Sequence, residues 1–259
     1  MENILIKMLY LVGIGLKPKH LTLEALETLK LCDQIFLESY TSEYSEGTNN
    51  ELEEMIGKKV LSLGRIGVEQ QFESALLSAK KNNIGLMIFG NALTATTHLQ
   101  VLLDAKEKGI KYIVIPGISI TNTIAETGLD EYKFGRTITV CYHEKGFEPE
   151  SFYDQLIENK KIGLHTLCLL DIKKDEKPER LMNCKEGIEI LEKIKIKREA
   201  NYEFDYLALL GMANKNQKII IGKENICKSE DVKKLYPQSL IVLGKTNDKE
   251  KEALKTLYD

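Results

Sequence analysis

Arginine is scarce in this chain. Four of its 36 cationic side chains are arginines (Arg65, Arg136, Arg180 and Arg198), which is few for a protein that grips phosphates, where the planar guanidinium fork is preferred. Nor is there an excess of positive charge. The 36 Lys and Arg against 39 Asp and Glu leave a formal net charge of −3, so nucleic acid is not an expected partner, because affinity for a duplex comes largely from counterion release by a basic face. The five cysteines (Cys32, Cys141, Cys168, Cys184 and Cys227) are odd in number and show no C-x-x-C spacing. That argues against a disulfide framework and a zinc knuckle, and each residue reads as a small core side chain or an idle thiol. The four histidines, His20, His98, His143 and His165, form neither H-x-x-x-H nor H-E-x-x-H, so no metal site is read. No apolar run approaches the roughly 18 residues of a membrane helix. The segment Met1–Met8 has one lysine and no small-residue cleavage site, and does not read as a leader. The expectation is a soluble, cytoplasmic protein without a membrane partner.

With 259 residues, 43% of them apolar and 29% charged, the chain has the make-up of one large or two modest globular domains. Its first half alternates short apolar runs with helical stripes. Strands are expected at Leu9–Val12, Ile35–Leu37, Val60–Leu63, Leu86–Phe89 and Tyr112–Ile115. Between them, Thr22 can cap a helix facing inward through Leu23, Leu26 and Leu29, and Asn50 with Glu53 resembles a capping box. Val68, Phe72, Leu76 and Ala79 make another stripe. His98–Lys108 is expected to be helical, with Leu99, Leu102 and Leu103 inward and Gly109 as its stop. This alternation predicts a parallel sheet with helices on both faces, and such sheets bind ligands beyond the carboxyl ends of their strands. Three loops fall there, Gly13–Lys17, Gly90–Thr94 and Pro116–Ile120, each rich in glycine or small residues.

After Gly128 strands are expected at Thr137–Cys141, Leu167–Leu170, Tyr206–Leu210, Ile219–Ile221 and Leu240–Leu243. Helices are expected at Glu150–Asn159, Cys184–Lys195, Glu230–Leu235 and Lys249–Leu257. Some strands follow one another directly, which predicts a mixed sheet. The fold class is therefore two α/β domains, over residues 1–128 and 129–259, with a solvated loop at Lys173–Arg180.

Gly13-Ile14-Gly15 is half of a dinucleotide fingerprint, but the third glycine would fall at Pro18, and no G-x-x-x-x-G-K-[ST] occurs. The functional reading is a backbone brought close to a ligand, and the plainer one is a tight turn. In Gly90–His98 a strand turns at Gly90-Asn91 and enters a helix through threonines. His98 there, and His165 and Asp171 around the Leu167–Leu170 strand, are candidate substrate groups, although each taken alone is more at home in a structural role. No catalytic residue is identified, and the small-residue loops with little acid–base machinery suit group transfer from an activated cofactor.

Met8-Leu9-Tyr10-Leu11-Val12-Gly13-Ile14-Gly15-Leu16 resembles the opening of the diphthine synthases. So do Glu38-Ser39-Tyr40-Thr41-Ser42, Ala95-Thr96-Thr97-His98, Tyr132-Lys133-Phe134-Gly135, Gly163-Leu164-His165-Thr166-Leu167 and Leu170-Asp171-Ile172-Lys173. The motifs are co-linear from Met8 onward, and Met1–Lys7 precede the usual start of that family. The resemblance implies two α/β domains of the tetrapyrrole-methylase type, S-adenosylmethionine in the cleft between them, and a homodimer. It also implies methylation of the amino group of the 3-amino-3-carboxypropyl arm on a modified histidine of translation elongation factor 2, a step in diphthamide biosynthesis. Carried over by position, the cofactor contacts are Leu16, Asn91, Thr94, Ser119 and Ile120, with Leu170, Met212 and Gln238 from the second domain. The compact length suggests the archaeal outcome of three methyls. Where the family has Gly-Asp-Pro, this chain has Gly90-Asn91-Ala92, so a carboxylate becomes an amide. Alternatives within reach of the sequence are a methyltransferase of the same fold acting on a tetrapyrrole or ribosomal RNA, and an inactive cofactor-binding module.

Overall fold

Short apolar runs bounded by glycine or charge become the strands, and the stripes between them become the helices. The computed structural model describes residues 7–68 and 72–258. The leader reading of Met1–Met8 falls largely outside these residues. The chain divides into two compact units: the first reaches to Ile120 and takes in Lys174–Lys177, and the second runs over Thr121–Lys173 and from Pro178 onward.

In the first unit β1 (Leu9–Gly13), β2 (Gln34–Glu38), β3 (Leu61–Leu63), β4 (Ile84–Ile88) and β5 (Tyr112–Ile115) form one sheet in the order β3-β2-β4-β1-β5. Every pairing is parallel. The helices α1 (Leu23–Leu31), α2 (Asn49–Ile56), α3 (Phe72–Ser78) and α4 (Leu99–Glu107) lie between the strands in sequence. Alternate strand residues build two cores. Leu9, Leu11, Leu86 and Ile88 pack with Phe72, Leu76, Val101 and Leu102 of α3 and α4. Val12, Ile35, Leu37 and Met87 pack with Ala25, Leu29, Leu52 and Ile56 of α1 and α2. A sheet covered on both faces explains why β4 is buried at every position.

The helix faces differ from the sequence expectation. In α4 the buried stripe is Val101, Leu102 and Ala105, while Leu99 and Leu103 are 57% and 52% exposed. In α1 it is Ala25 and Leu29, with Leu23 exposed. Both helices are nine residues long, and a two-turn stripe can be drawn through alternative leucines. Contact with the sheet selects the row holding alanine, which lets the helix approach closely. The cap of α2 is Thr48, whose hydroxyl accepts from the Glu51 N–H at 3.2 Å, rather than Asn50.

The second unit has β6 (Ile138–Val140), β7 (Thr166–Leu170), β10 (Tyr206–Leu210), β11 (Lys218–Ile221) and β12 (Gln238–Val242), ordered β11-β10-β12-β7-β6. The sheet is mixed: β6 and β7 pair in parallel and the other pairings are antiparallel. One core joins it to α6 (Ser151–Lys161), α7 (Cys184–Lys197) and α8 (Lys223–Lys228) through Tyr153, Leu156, Ile188, Leu191 and Ile226. Asn183 and Glu186 make a reciprocal capping box on α7. The α9 helix (Asp248–Tyr258) completes the unit.

The division after Ile120 precedes the expected boundary at Gly128. The intervening short helix α5 (Ile120–Thr123) and the turn beyond it are tied to the second unit, where the Tyr258 hydroxyl donates to the Glu126 carbonyl and a Cβ on Gly128 would lie 2.7 Å from the Ala253 side chain. The expected solvated loop at Lys173–Arg180 is instead the connection of a small antiparallel pair, β8 (Ile172–Lys173) and β9 (Arg180–Leu181). Its tip is held by ion pairs, Lys174 to Glu43 and Arg65 to Asp175, each at 2.8 Å. The expected helix at Glu230–Leu235 is a single 3-10 turn.

Candidate functional site

The order β3-β2-β4-β1-β5 puts β1 between β4 and β5, so the loops leaving these three strands are neighbours at the carboxyl end of the sheet. They meet backbone to backbone. A Cβ on Gly13 would lie 2.7 Å from the Gly117 nitrogen and 2.8 Å from the Gly90 oxygen. One on Gly117 would lie 2.3 Å from the Gly90 oxygen. Side chains cannot occupy such positions without moving main chain, so the three loops pack peptide against peptide, with Gly13, Gly15 and Gly90 buried and Gly117 half-buried. Gly15 and Gly90 exchange hydrogen bonds, 3.1 Å from Gly15 N–H and 2.9 Å from Gly90 N–H. Both glycines have positive φ, +76° and +70°.

Five of the sequence-expected contacts sit on this rim. Leu16 is half-buried just after the Gly15 bridge, and Asn91 and Thr94 are half-buried in the loop after β4. The Asn91 side-chain oxygen accepts from the Leu93 N–H at 3.1 Å, and Thr94 N–H donates to the Asn91 carbonyl at 3.3 Å. Ser119 is buried beside Gly90, whose Cβ would lie 3.4 Å from that of Ser119. Ile120 opens α5.

His98 closes the same loop and is 2% exposed. Its Nδ1 bonds the Thr96 hydroxyl, and its Nε2 lies 4.0 Å from Oε2 of Glu38, which is fully buried at the end of β2. Burial pushes the His98 pKa down against the opposing pull of the Glu38 carboxylate. Glu38 is a site residue outside the candidates expected from sequence. The available signal was an acid directly after a buried strand and before hydroxyl-bearing residues.

In the second unit Gln238 pairs with Leu210, and Ser239 pairs with Leu169. Leu170, Gln238 and the turn holding Met212 therefore lie at one end of three adjacent strands. Their side chains point away from a ligand-binding role. Leu170 belongs to the core, and a Cβ on Gly187 would lie 2.8 Å from its Cδ2. Met212 is buried after Gly211, whose φ is +55°. Gln238 accepts from the Cys184 N–H at 2.8 Å and donates to the Val232 and Leu235 carbonyls at 2.7 and 2.9 Å. What these three positions can offer a ligand is main chain.

The remaining two candidates are held by neighbours. His165 Nδ1 accepts from the Gly244 N–H at 2.9 Å, which puts the neutral ring's proton on Nε2, 3.0 Å from Glu250 Oε1. Glu250 also accepts from the Asp130 N–H at 3.0 Å, the Asn247 N–H at 2.7 Å and the Lys133 ammonium. Burial alone would raise the Glu250 pKa, but Lys133, the Asn247 N–H, His165 and the Asp130 N–H outweigh it and hold it at about 2. Asp171 accepts from the Tyr142 N–H at 3.0 Å.

Comparison with known proteins bears on what this rim does. A family model described as tetrapyrrole (corrin/porphyrin) methylases matches residues 8–224. The diphthine synthase of Methanocaldococcus jannaschii is 33% identical over 257 residues, covering 97% of this chain and 99% of that one. The diphthine methyl ester synthase of Yarrowia lipolytica is 40% identical over 177 residues, covering 68% and 59%. The crystal structure of a proposed diphthine synthase from Entamoeba histolytica matches with a TM-score of 0.87 and 31% identity, over 98% of this chain and 99% of that one. The matched residues include all of the first unit's rim, and the chain belongs to the tetrapyrrole (corrin/porphyrin) methylase family, among its diphthine synthases, and is a methyltransferase.

Proposed function

We propose that this protein transfers methyl groups from S-adenosylmethionine to the amino group of the 3-amino-3-carboxypropyl arm on a modified histidine of translation elongation factor 2. The observation that carries this is the backbone-lined rim of Gly13, Gly90 and Gly117 in a chain matched end to end by a diphthine synthase. The rim suits a bound cofactor because glycine at positions 13 and 117 lets the three loops pack main chain to main chain, which gathers the half-buried Leu16, Asn91, Thr94 and Ile120 at the carboxyl ends of the parallel strands, where such sheets take ligands. Leu16, Asn91, Thr94, Ser119 and Ile120 are the contacts we assign in the first unit, and Leu170, Met212 and Gln238 in the second, these three through main chain. When bound, S-adenosylmethionine supplies a methyl group on a sulfonium.

The acceptor must present a free lone pair. An α-amino group has a pKa of about 8, and exclusion of water lowers it by disfavouring the ammonium form. The protein then needs to orient the amine and keep water out, and no dedicated base is obligatory. The acidic formal net charge, −3, fits a protein substrate better than ribosomal RNA. No described helix is long and apolar enough to cross a membrane. We place the reaction in the cytoplasm, where elongation factor 2 works, and assign a homodimer.

Amine chemistry sets the number of N-methylations. The first two leave an amine that can lose a proton and react again, and the third leaves a fixed cation, so three N-methyls are the expected product. A second reading adds a methyl ester on the carboxylate, and it is favoured by the 40% identity to the Yarrowia lipolytica methyl ester synthase against 33% to the Methanocaldococcus jannaschii diphthine synthase, the former over a shorter match. Transfer of label from radiolabelled S-adenosylmethionine to partially modified elongation factor 2 tests the activity. Mass spectrometry after exhaustive reaction tests the count: three base-stable methyls support the first reading, and a fourth, base-labile one supports the second. No label in elongation factor 2 would remove both.

A further inference from the structure

The rim contains a buried acid–imidazole pair that the proposed chemistry does not use. Glu38 is fully buried, and its Oε1 accepts from the Tyr40 N–H at 2.6 Å and the Thr41 N–H at 2.8 Å, while Oε2 accepts the Thr41 hydroxyl. Opposite it, the Thr96 oxygen accepts the His98 N–H at 3.3 Å and bonds His98 Nδ1. If the hydroxyl proton serves Nδ1, the neutral ring carries its own proton on Nε2, on the Glu38 side. That Nε2 is a buried atom without a hydrogen-bond partner, 4.0 Å from the carboxylate. A buried donor left unmade costs free energy, and here a small movement of either loop would satisfy it.

Both members continue into loops that carry the assigned cofactor contacts. Beyond Thr41, the Tyr44 hydroxyl donates to the Ile14 carbonyl at 3.4 Å. Ser45 donates its N–H and its hydroxyl to the Leu16 carbonyl, at 3.0 and 3.1 Å. Before Thr96 lies the Asn91–Thr94 turn, and Gly90 returns to Gly15 through the paired hydrogen bonds. The contacts thus run in a circle around the rim, with the Glu38–His98 link standing open.

We infer that Glu38 and His98 are positioning residues for the cofactor rim: their link closes when the cofactor binds, fixing Leu16 and the Asn91–Thr94 turn together. This rests on the proposed use of S-adenosylmethionine. The two residues are not catalytic, since they are sealed from the surface, and they act through the loops they join.

Calorimetry with S-adenosylhomocysteine as the probe tests the pair. The wild type should bind one probe per chain. Thr96→Val, which removes one hydroxyl and leaves the core untouched, should weaken binding about tenfold with the stoichiometry still near one. His98→Asn should do the same or more, and Thr96→Ser should restore wild-type affinity. In a sample labelled with 15N-histidine, the His98 Nε2 resonance should shift on saturation with the probe. If Thr96→Val keeps wild-type affinity, or loses only stoichiometry while the dissociation constant stays put, the pair is merely structural and the inference falls. A His98 resonance unmoved by saturation overturns it as well. A wild type that does not bind the probe removes the cofactor reading and this inference with it, whereas a binding wild type with unaffected variants removes this inference alone.

Discussion

The two sheets treat their candidate residues in opposite ways. In the parallel sheet of the first unit, glycines at the strand ends bring main chain against main chain, and Leu16, Asn91 and Thr94 stand half-buried beside them. In the mixed sheet of the second unit, Leu170, Met212 and Gln238 also gather at one sheet end, yet their side chains are consumed by the core and by internal hydrogen bonds. The first unit leaves side chains at its rim open to a ligand, and the second leaves only backbone. Substitutions should therefore separate the units: in the first, binding should suffer beyond the loss of stability, and in the second, stability alone.

The largest effect is expected in the second unit at Glu250. Removing it by Glu250→Ala leaves His165, Lys133 and two backbone N–H groups facing an empty site, and breaking a buried ion pair from one side costs about 3–5 kcal/mol. Chemical denaturation should show this loss. The pH dependence follows from the same carboxylate. Its folded pKa of about 2 lies below the ordinary value, so its contribution is present above roughly pH 4.3 and is lost as pH falls towards 2. In Glu250→Gln that acid-side loss in thermal midpoint should shrink. His98 and His165, both lowered by burial, act in the same direction from about pH 6.5 downward, because the unfolded chain takes up their protons first.

Next in size are two glycines with equally crowded backbones. A Cβ on Gly117 would lie 2.3 Å from the Gly90 oxygen, and one on Gly244 would lie 2.4 Å from the Gly163 oxygen. Each alanine substitution should cost about 1–3 kcal/mol, as overpacking does. Gly117→Ala should in addition weaken S-adenosylhomocysteine binding more than tenfold at a temperature where it remains folded, whereas Gly244→Ala should not. Equal losses of affinity would break the contrast between the units.

A gain is expected at Asn91. The oxygen that accepts the Leu93 N–H at 3.1 Å exists in aspartate too, so Asn91→Asp should keep the turn. A charge-assisted hydrogen bond contributes about 1.5–3 kcal/mol against about 1 for a neutral one, so cofactor affinity should rise about tenfold. Unchanged or weaker binding would show that the turn has been retuned to the amide. The smallest effect belongs to Leu170→Met, a volume-conserving change in the core costing no more than about 1 kcal/mol, with probe affinity within twofold of wild type.

Much of this contrast was legible in the sequence, and the parts that were not have physical causes. The strands of the first unit stand out because a doubly covered sheet needs unbroken apolar runs, and Leu9–Val12 and Leu86–Phe89 supply them. The three glycine-bearing loops could be placed on one rim because parallel strands put their carboxyl ends on one side. The inward face of α4 could not be read, since Leu99, Leu102 and Leu103 satisfy helical periodicity as well as Val101, Leu102 and Ala105, and the sheet decides between them. The Glu38–His98 pair joins residues from different strand–helix units, and no local pattern announces such a contact. Nor does Gln238 reveal that its amide closes the approach to α7, because its partners lie at Cys184, Val232 and Leu235.

Titration of the purified wild type with S-adenosylhomocysteine, with NAD as the comparison ligand, tests the central claim most directly. The glycine rim of the first unit predicts one site per chain for S-adenosylhomocysteine, weakened by Gly117→Ala and unmoved by Gly244→Ala. No binding heat, or equal affinity for NAD, would contradict it.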